Sequence, residues 1–146
     1  MQRFEPVSID LLTRPNDLDR LGHVNNAVVL EYLEAGRWAW LEQHHFSQGM
    51  RILPVVARIE VNYRKEINPG TVKVTTQIEA REAAICYQVT FEQRVEILLN
   101  DQALVAAEAK VKVAFIDAEQ RTLRSLQDFL DSHSSAISGG LTYASH

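Results

Sequence analysis

The sequence predicts an α+β domain in which an antiparallel sheet of five to six strands wraps around one long central helix. Two observations carry this. From Asn25 to Gln43 the chain is apolar around most of a helical circumference. Beyond residue 57 apolar and polar residues alternate with period two, the mark of half-buried strands. Short turns between those strands make neighbours antiparallel. An apolar helix and a half-buried sheet then cover each other.

Residues 4–13 form the first predicted strand, with Val7, Ile9 and Leu11 on one face. Arg14 to Gly22 is a polar connection whose Pro15, Asn16, Asp17 and Asp19 are loop and cap residues. The helix follows, with Ala27-Val28-Val29-Leu30, Leu33, Trp38, Trp40 and Leu41 as its apolar body. Its charges gather on a stripe of Glu31, Glu34 and Glu42, with Arg37 beside them. In 57–64, Ala57, Ile59, Val61 and Tyr63 point one way and Arg58, Glu60, Asn62 and Arg64 the other. Asn68-Pro69-Gly70 is a turn. The alternation resumes through Val72, Val74, Thr76, Ile78 and Ala80, breaks at Glu82-Ala83-Ala84, and returns at Ile85, Tyr87, Val89 and Phe91. Asn100-Asp101 marks another turn, and Val105 to Phe115 is the last long strand. A short helix is expected around Ser125–Ser132, closing a single domain over residues 1–133. The tail 134–146, rich in Ser, Gly and Ala, is expected to be flexible.

A chain of 146 residues, 46% hydrophobic and 23% charged, is long enough for one real core and too apolar for disorder throughout. Its net charge of −4 lacks the basic footprint of a nucleic-acid binder. Cys86 is the only cysteine, so an intramolecular disulfide and a CxxC zinc site are excluded. No apolar leader opens the sequence and no apolar run is long enough to cross a membrane, so a cytoplasmic location is expected. The open faces and edges of such a sheet invite a second copy, and a homodimer or homotetramer is expected.

The segment richest in chemistry is Asn16-Asp17-Leu18-Asp19-Arg20-Leu21-Gly22-His23-Val24-Asn25-Asn26-Ala27, directly before the helix. Unpaired N–H groups and a partial positive charge at a helix start polarise a carbonyl and hold an oxyanion. A carboxylate a few residues earlier is placed to attack that carbonyl or to activate water. The same residue types also serve as ordinary caps and turns, and spacing alone leaves both readings open.

The string Asp17 to Ala27, continued by Tyr32-Leu33-Glu34-Ala35-Gly36-Arg37, resembles the signature of hotdog-fold thioesterases. The resemblance is to the 4-hydroxybenzoyl-CoA thioesterase-like group with its acyl-CoA thioesterases, and also to plant acyl-carrier-protein thioesterases. It is strong over residues 14–40 and weak at Tyr63-Arg64 and Pro69-Gly70, where Thr71 replaces a frequent aspartate. It implies hydrolysis of an acyl-CoA or acyl-carrier-protein thioester, with Asp19 as nucleophile or general base and the Asn26 N–H polarising the carbonyl. No metal or other cofactor is implied. Asp17 is read as shaping the loop. The benzoyl branch lacks the His23, Asn25 and Asn26 pattern, so roles for His23 and Asn25 transfer only loosely. His23 either orients water or the thioester, or bonds a backbone carbonyl as a loop histidine.

Glu34 is a rival acid on the helix, with a plain i, i+3 pairing to Arg37 as its simpler reading. Trp38 and Trp40 are read as core or pocket wall, Trp38 as a substrate contact. Arg64 and Lys65, with Arg58 and Arg81, are candidates for the phosphates of CoA or phosphopantetheine. His44 and His45 suit the helix C-terminus. Tyr87 and Phe91 are read as core, and Cys86 as facing the polar side of its strand. His133 and His146 carry no assigned role. The competing functions are a non-catalytic acyl-CoA-binding module and a hotdog dehydratase or hydratase.

Overall fold

The computed structural model describes residues 4–46, 49, 51–79 and 86–133. β1 (Val7–Leu12) leads through a 3-10 turn (Pro15–Asp17) to α1 (Asn26–Gln43). β2 (Ile52–Tyr63), β3 (Thr71–Ile78), β4 (Gln88–Leu99), β5 (Gln102–Asp117) and β6 (Leu123–Arg124) follow. A second helix, α2, occupies residues 126–133. The strands form one antiparallel sheet in the order β1-β3-β4-β5-β2, with β6 paired to β5. This is the hotdog arrangement expected from the sequence, and α2 lies where the short helix around Ser125–Ser132 was expected. The tail 134–146, Arg81 and the Glu82-Ala83-Ala84 break lie outside the described residues.

Alternation places β1 as expected: Val7, Ile9 and Leu11 turn inward and their neighbours outward. Asn100 and Asp101 join β4 to β5 with φ of 51° and 63°, the left-handed pair that suits the twist of a tight hairpin. β2 differs from its expected pattern. It starts at Ile52, and its register shifts between Val56 and Arg58, so Ala57 is the extra residue of a bulge. Val56 and Ile59 therefore pair with the inward Val113 and Val111. Ala57 drops out of the inward row assigned to it by uninterrupted alternation. The inward row of β2 is also more open than expected, with Val56 42%, Ile59 37% and Tyr63 44% exposed.

α1 packs against β1, β3 and β4, and Leu33, Val74, Val95 and Val111 are fully buried between helix and sheet. The approach is close because residue 36 is glycine. A Cβ there would lie 2.7 Å from Val74 Cγ1 and 2.8 Å from Thr76 Oγ1. At that distance Gln93 on β4 reaches the helix backbone: its Nε2 donates to Leu33 O and to Thr76 Oγ1, both at 2.8 Å. Trp40 is buried among Phe4, His44, Phe46 and Phe91, and α2 adds Phe129 against Phe46 and Phe115. α1 ends as expected at its histidines: His44 caps it and His45 takes φ 64° while donating to Glu42 O.

Four expectations change. Tyr87 is 51% exposed and precedes β4, whereas Phe91 is core. Cys86 also precedes β4, partly buried against the core, with its carbonyl accepting from Leu126 N. His133 is buried on α2, its Nδ1 2.8 Å from Phe129 O and its ring against Phe46 and Phe129. Arg37 leaves the charged stripe and is only 8% exposed.

Asp117, at the end of β5, ties the far corner together. Its carboxylate accepts from Glu119 N and Gln120 N at 2.9 Å and from Arg51 and Arg124 at 3.3 Å. The Gln120 N–H leads in holding its carboxyl below the usual carboxylate range, against the opposing effect of burial. A carboxyl whose pKa is lower folded than unfolded stabilises the fold above about pH 4, and that stabilisation disappears as pH falls through the folded value. Thermal melting from about pH 6 down to about pH 2 should show an acid-side fall that is smaller in Asp117→Asn, with a lower melting temperature for the variant at neutral pH. Equal melting at neutral pH would remove Asp117 as an anchor. Gly36→Ala should cost roughly 1–3 kcal/mol in urea unfolding, the usual penalty of overpacking; an unchanged midpoint would mean that Val74 and Thr76 yield freely.

Candidate active site

The loop before α1 is braced from within. Leu18 and Val24 pair as an isolated bridge. Between them Asp19 N donates to His23 O at 2.7 Å and Gly22 N to Asp19 O at 3.1 Å, with Gly22 at φ +80°. Asp17 shapes the base of the loop, as expected. Buried at 2% exposure, it accepts from Arg14 N at 2.9 Å, from the Arg14 guanidinium, and from Tyr32 OH at 2.7 Å. The Arg14 N–H leads in holding this carboxyl below its usual range. Burial first, and then the bond to Asp17, pushes the Tyr32 phenol up, so its proton stays in place.

Asp19 is the exposed acid of the loop. One carboxylate oxygen, Oδ1, accepts from Leu21 N at 2.9 Å and His23 N at 3.2 Å. No described residue donates to Oδ2 of this exposed side chain. Asn25 caps α1, its Oδ1 accepting from Ala27 N at 2.9 Å. Asn26 is the first helical residue, and its N–H has no partner among the described residues. His23 Nε2 lies 3.3 Å from Glu66 Oε2.

The segment after β2 moors this loop. Tyr63 OH donates to Asn26 O at 3.0 Å, and Val24 N donates to Ile67 O at 2.8 Å. Asp19, His23, Asn25 and Asn26 therefore share one braced loop and helix start, with Lys65 on the neighbouring segment. Lys65 has no ion-pair partner among the described residues, whereas the Arg64 guanidinium is bound to Glu108 at 2.9 Å. Arg58 is likewise paired, with Glu60. Trp38 stands apart, 48% exposed, on a groove of ≈ 210 Å³ further along the helix. Glu34 and Arg37 also line that groove, but the expected pair between them is absent: the Arg37 guanidinium donates to Gln93 Oε1 at 3.1 Å. Sequence reasoning missed Tyr63 and Glu66 as site residues. Tyr63 read as one member of a strand face and a weak part of the family resemblance, and no local pattern signals a contact across 37 residues.

The match of residues 13–133 to the thioesterase-like superfamily, on this fold and around this loop, makes the chain a member of that superfamily and a thioester hydrolase. Over 116 residues it is 32% identical to the long-chain acyl-CoA thioesterase FadM of Escherichia coli (strain K12), covering 75% of this chain and 83% of that one. The YbaW probable thioesterase of Escherichia coli superposes with a TM-score of 0.68 at 26% identity, over 86% of this chain and 97% of that chain. A DHNA-CoA thioesterase from Staphylococcus aureus, at 18% identity, shares the fold with a TM-score of 0.74 over 96% and 93%.

The cap can be separated from chemistry by a stability measurement. Asn25→Ala should lower unfolding free energy by about 1 kcal/mol, the usual loss of an N-cap acceptor. A variant as stable as wild type but catalytically impaired would instead make Asn25 a substrate contact.

Proposed function

We propose that the chain hydrolyses acyl-CoA thioesters, with Asp19 as the acid–base or nucleophilic carboxylate and the Asn26 N–H polarising the carbonyl. The observation that carries this is the pairing of a carboxylate held through one oxygen and free at the other with a helix start whose first N–H is unpaired. Its likeness to an acyl-CoA thioesterase supports CoA as the thiol carrier. Acyl-carrier protein is the alternative carrier.

In the general-base route, Asp19 Oδ2 takes a proton from water as the water oxygen bonds to the carbonyl carbon. Negative charge develops on the carbonyl oxygen, where the Asn26 N–H and the helix dipole stabilise it. Collapse breaks the C–S bond, and the departing thiolate takes the proton back from Asp19. In the nucleophilic route, Asp19 itself expels the thiolate to give an anhydride, which water then opens. Both routes end in a carboxylic acid and a free thiol. His23, held by Glu66, is suited to orient the water or the thioester, and Lys65 to meet a phosphate of the carrier. The Arg64 guanidinium takes part only by exchanging Glu108 for phosphate.

The open edge and inward face of β2, with Val56, Ile59 and Tyr63 exposed, support a homodimer built on that strand. Light scattering should give twice the chain mass or a multiple of it, and a monomer would refute this. Hydrolysis of an acyl-CoA panel should fall about a hundredfold or more in folded Asp19→Asn. A variant at full rate would move the acid's role to Glu34. A wild type that binds but never cleaves would overturn hydrolysis of these substrates.

A further inference from the structure

We infer that the groove between α1 and β2 selects acyl chains that carry a carboxylate at their far end, with Arg37 as the residue that reads it. This deepens the proposed acyl-CoA hydrolysis and rests on it. Arg37 is more than nine-tenths buried, yet its guanidinium makes a single hydrogen bond, to the neutral Gln93 Oε1, and no described carboxylate lies within ion-pair distance. Gln93 is itself fixed, because its amide hydrogens are committed to Leu33 O and Thr76 Oγ1, so it presents its oxygen to Arg37. A guanidinium has five donors in a planar fork matched to a carboxylate. The guanidinium nitrogens not bonded to Gln93 are not sealed in the interior, so their donors open to the groove and are available to a ligand. The groove beside Arg37 is otherwise walled by Trp38, Val56, Phe91 and Val113, with Glu34 at its rim. Burial pushes the Arg37 guanidinium below its ordinary value, with Glu34 opposing. A partly desolvated cation on the wall of such a groove gains from an anion that also fills the apolar space.

The groove lies in line with the proposed reaction centre. Asn26, Leu30, Glu34 and Arg37 succeed one another at spacings of three and four, so they share a helix face. Tyr63 on β2 bonds Asn26, while Pro54 and Val56 near the other end of β2 line the Arg37 groove. β2 therefore runs alongside α1 from the reactive helix start to the buried cation. A rise of about 1.5 Å per residue puts Arg37 about 16 Å beyond Asn26, and its long side chain leans back toward the helix N-terminus. An extended chain advances about 1.2 Å per backbone atom, so an acyl chain of about twelve carbons spans the remaining distance.

The test is a matched pair, dodecanedioyl-CoA (one thioester, one free carboxylate) against dodecanoyl-CoA, with wild type, Arg37→Met, Arg37→Lys and Glu34→Gln. Wild type should favour the dicarboxylic substrate in kcat/KM by about tenfold or more, the discrimination a charged hydrogen bond gives. Arg37→Met should abolish or reverse that preference, and Arg37→Lys should restore part of it. Glu34→Gln, at an exposed position that leaves the fold intact, should strengthen it. If Arg37→Met does not fold, Glu34→Gln decides alone: an unchanged substrate ratio overturns the inference. Equal turnover of both substrates by wild type also overturns it and leaves the thioesterase reading standing. If neither substrate is cleaved, the hydrolysis reading fails for this class, and calorimetric affinities for the same two thioesters decide the role of Arg37 by the same ratio.

Discussion

An α-helix with its side chains is about 10–12 Å across, whereas strands spaced about 4.8 Å apart make a five-strand sheet nearly twice that width. α1 therefore sits mainly over β1, β3 and β4, while α2 helps to cover β5 and the inward face of β2 stays the most open. Gly36 enforces the choice of side by letting the helix backbone settle onto Val74 and Thr76. The strip left over has two parts. Where β5 lies closest to α1 its side chains are buried; along β2 they remain open. The exposed aliphatic row, the groove at Arg37 and the mooring of Tyr63 to Asn26 all follow from one helix seated off-centre on a wider sheet.

Two buried carboxylates do different work at opposite ends of that frame. Asp17 gathers Arg14 and Tyr32 beneath the loop that carries Asp19, so the exposed acid stands on a rigid base. Asp117 collects two backbone N–H groups and two guanidinium groups where β5 meets β6. Both carboxylates exchange the hydration lost on burial for several charge-assisted bonds. Asp19 instead is exposed, and only one of its oxygens has a donor among the described residues.

The architecture was legible in the sequence because burial writes its period there. β1, the Asn100-Asp101 turn, the long helix and the loop that carries Asp19 all lie where alternation, turn chemistry and the family resemblance put them. Losses occurred where one residue breaks the count or where a contact joins distant segments. Ala57 breaks the count in β2, and nothing in its local sequence announces a bulge. Arg37 looked like part of a solvated stripe, and only Gln93, 56 residues away, explains its burial. His133 had no role to read from the sequence, and only its packing against Phe46 and Phe129 explains its burial. Glu34 and Arg37 had the spacing of a helix pair, but packing drew the guanidinium toward the sheet. The loop that carries Asp19, His23, Asn25 and Asn26 was readable as a segment, and its contacts to Tyr63 and Glu66 were not.

The bulge at Ala57 also bears on how the chain avoids uncontrolled association. A long regular edge strand is a template on which further chains stack without limit. Here the twelve residues of β2 are divided at Ala57 into two short ladders, each bent relative to the other. An incoming strand meets a continuous run of only five or six residues before the spacing of donors and acceptors changes. Such an edge accepts a partner shaped to the same kink and refuses a flat one, which favours a closed pair over a growing fibre.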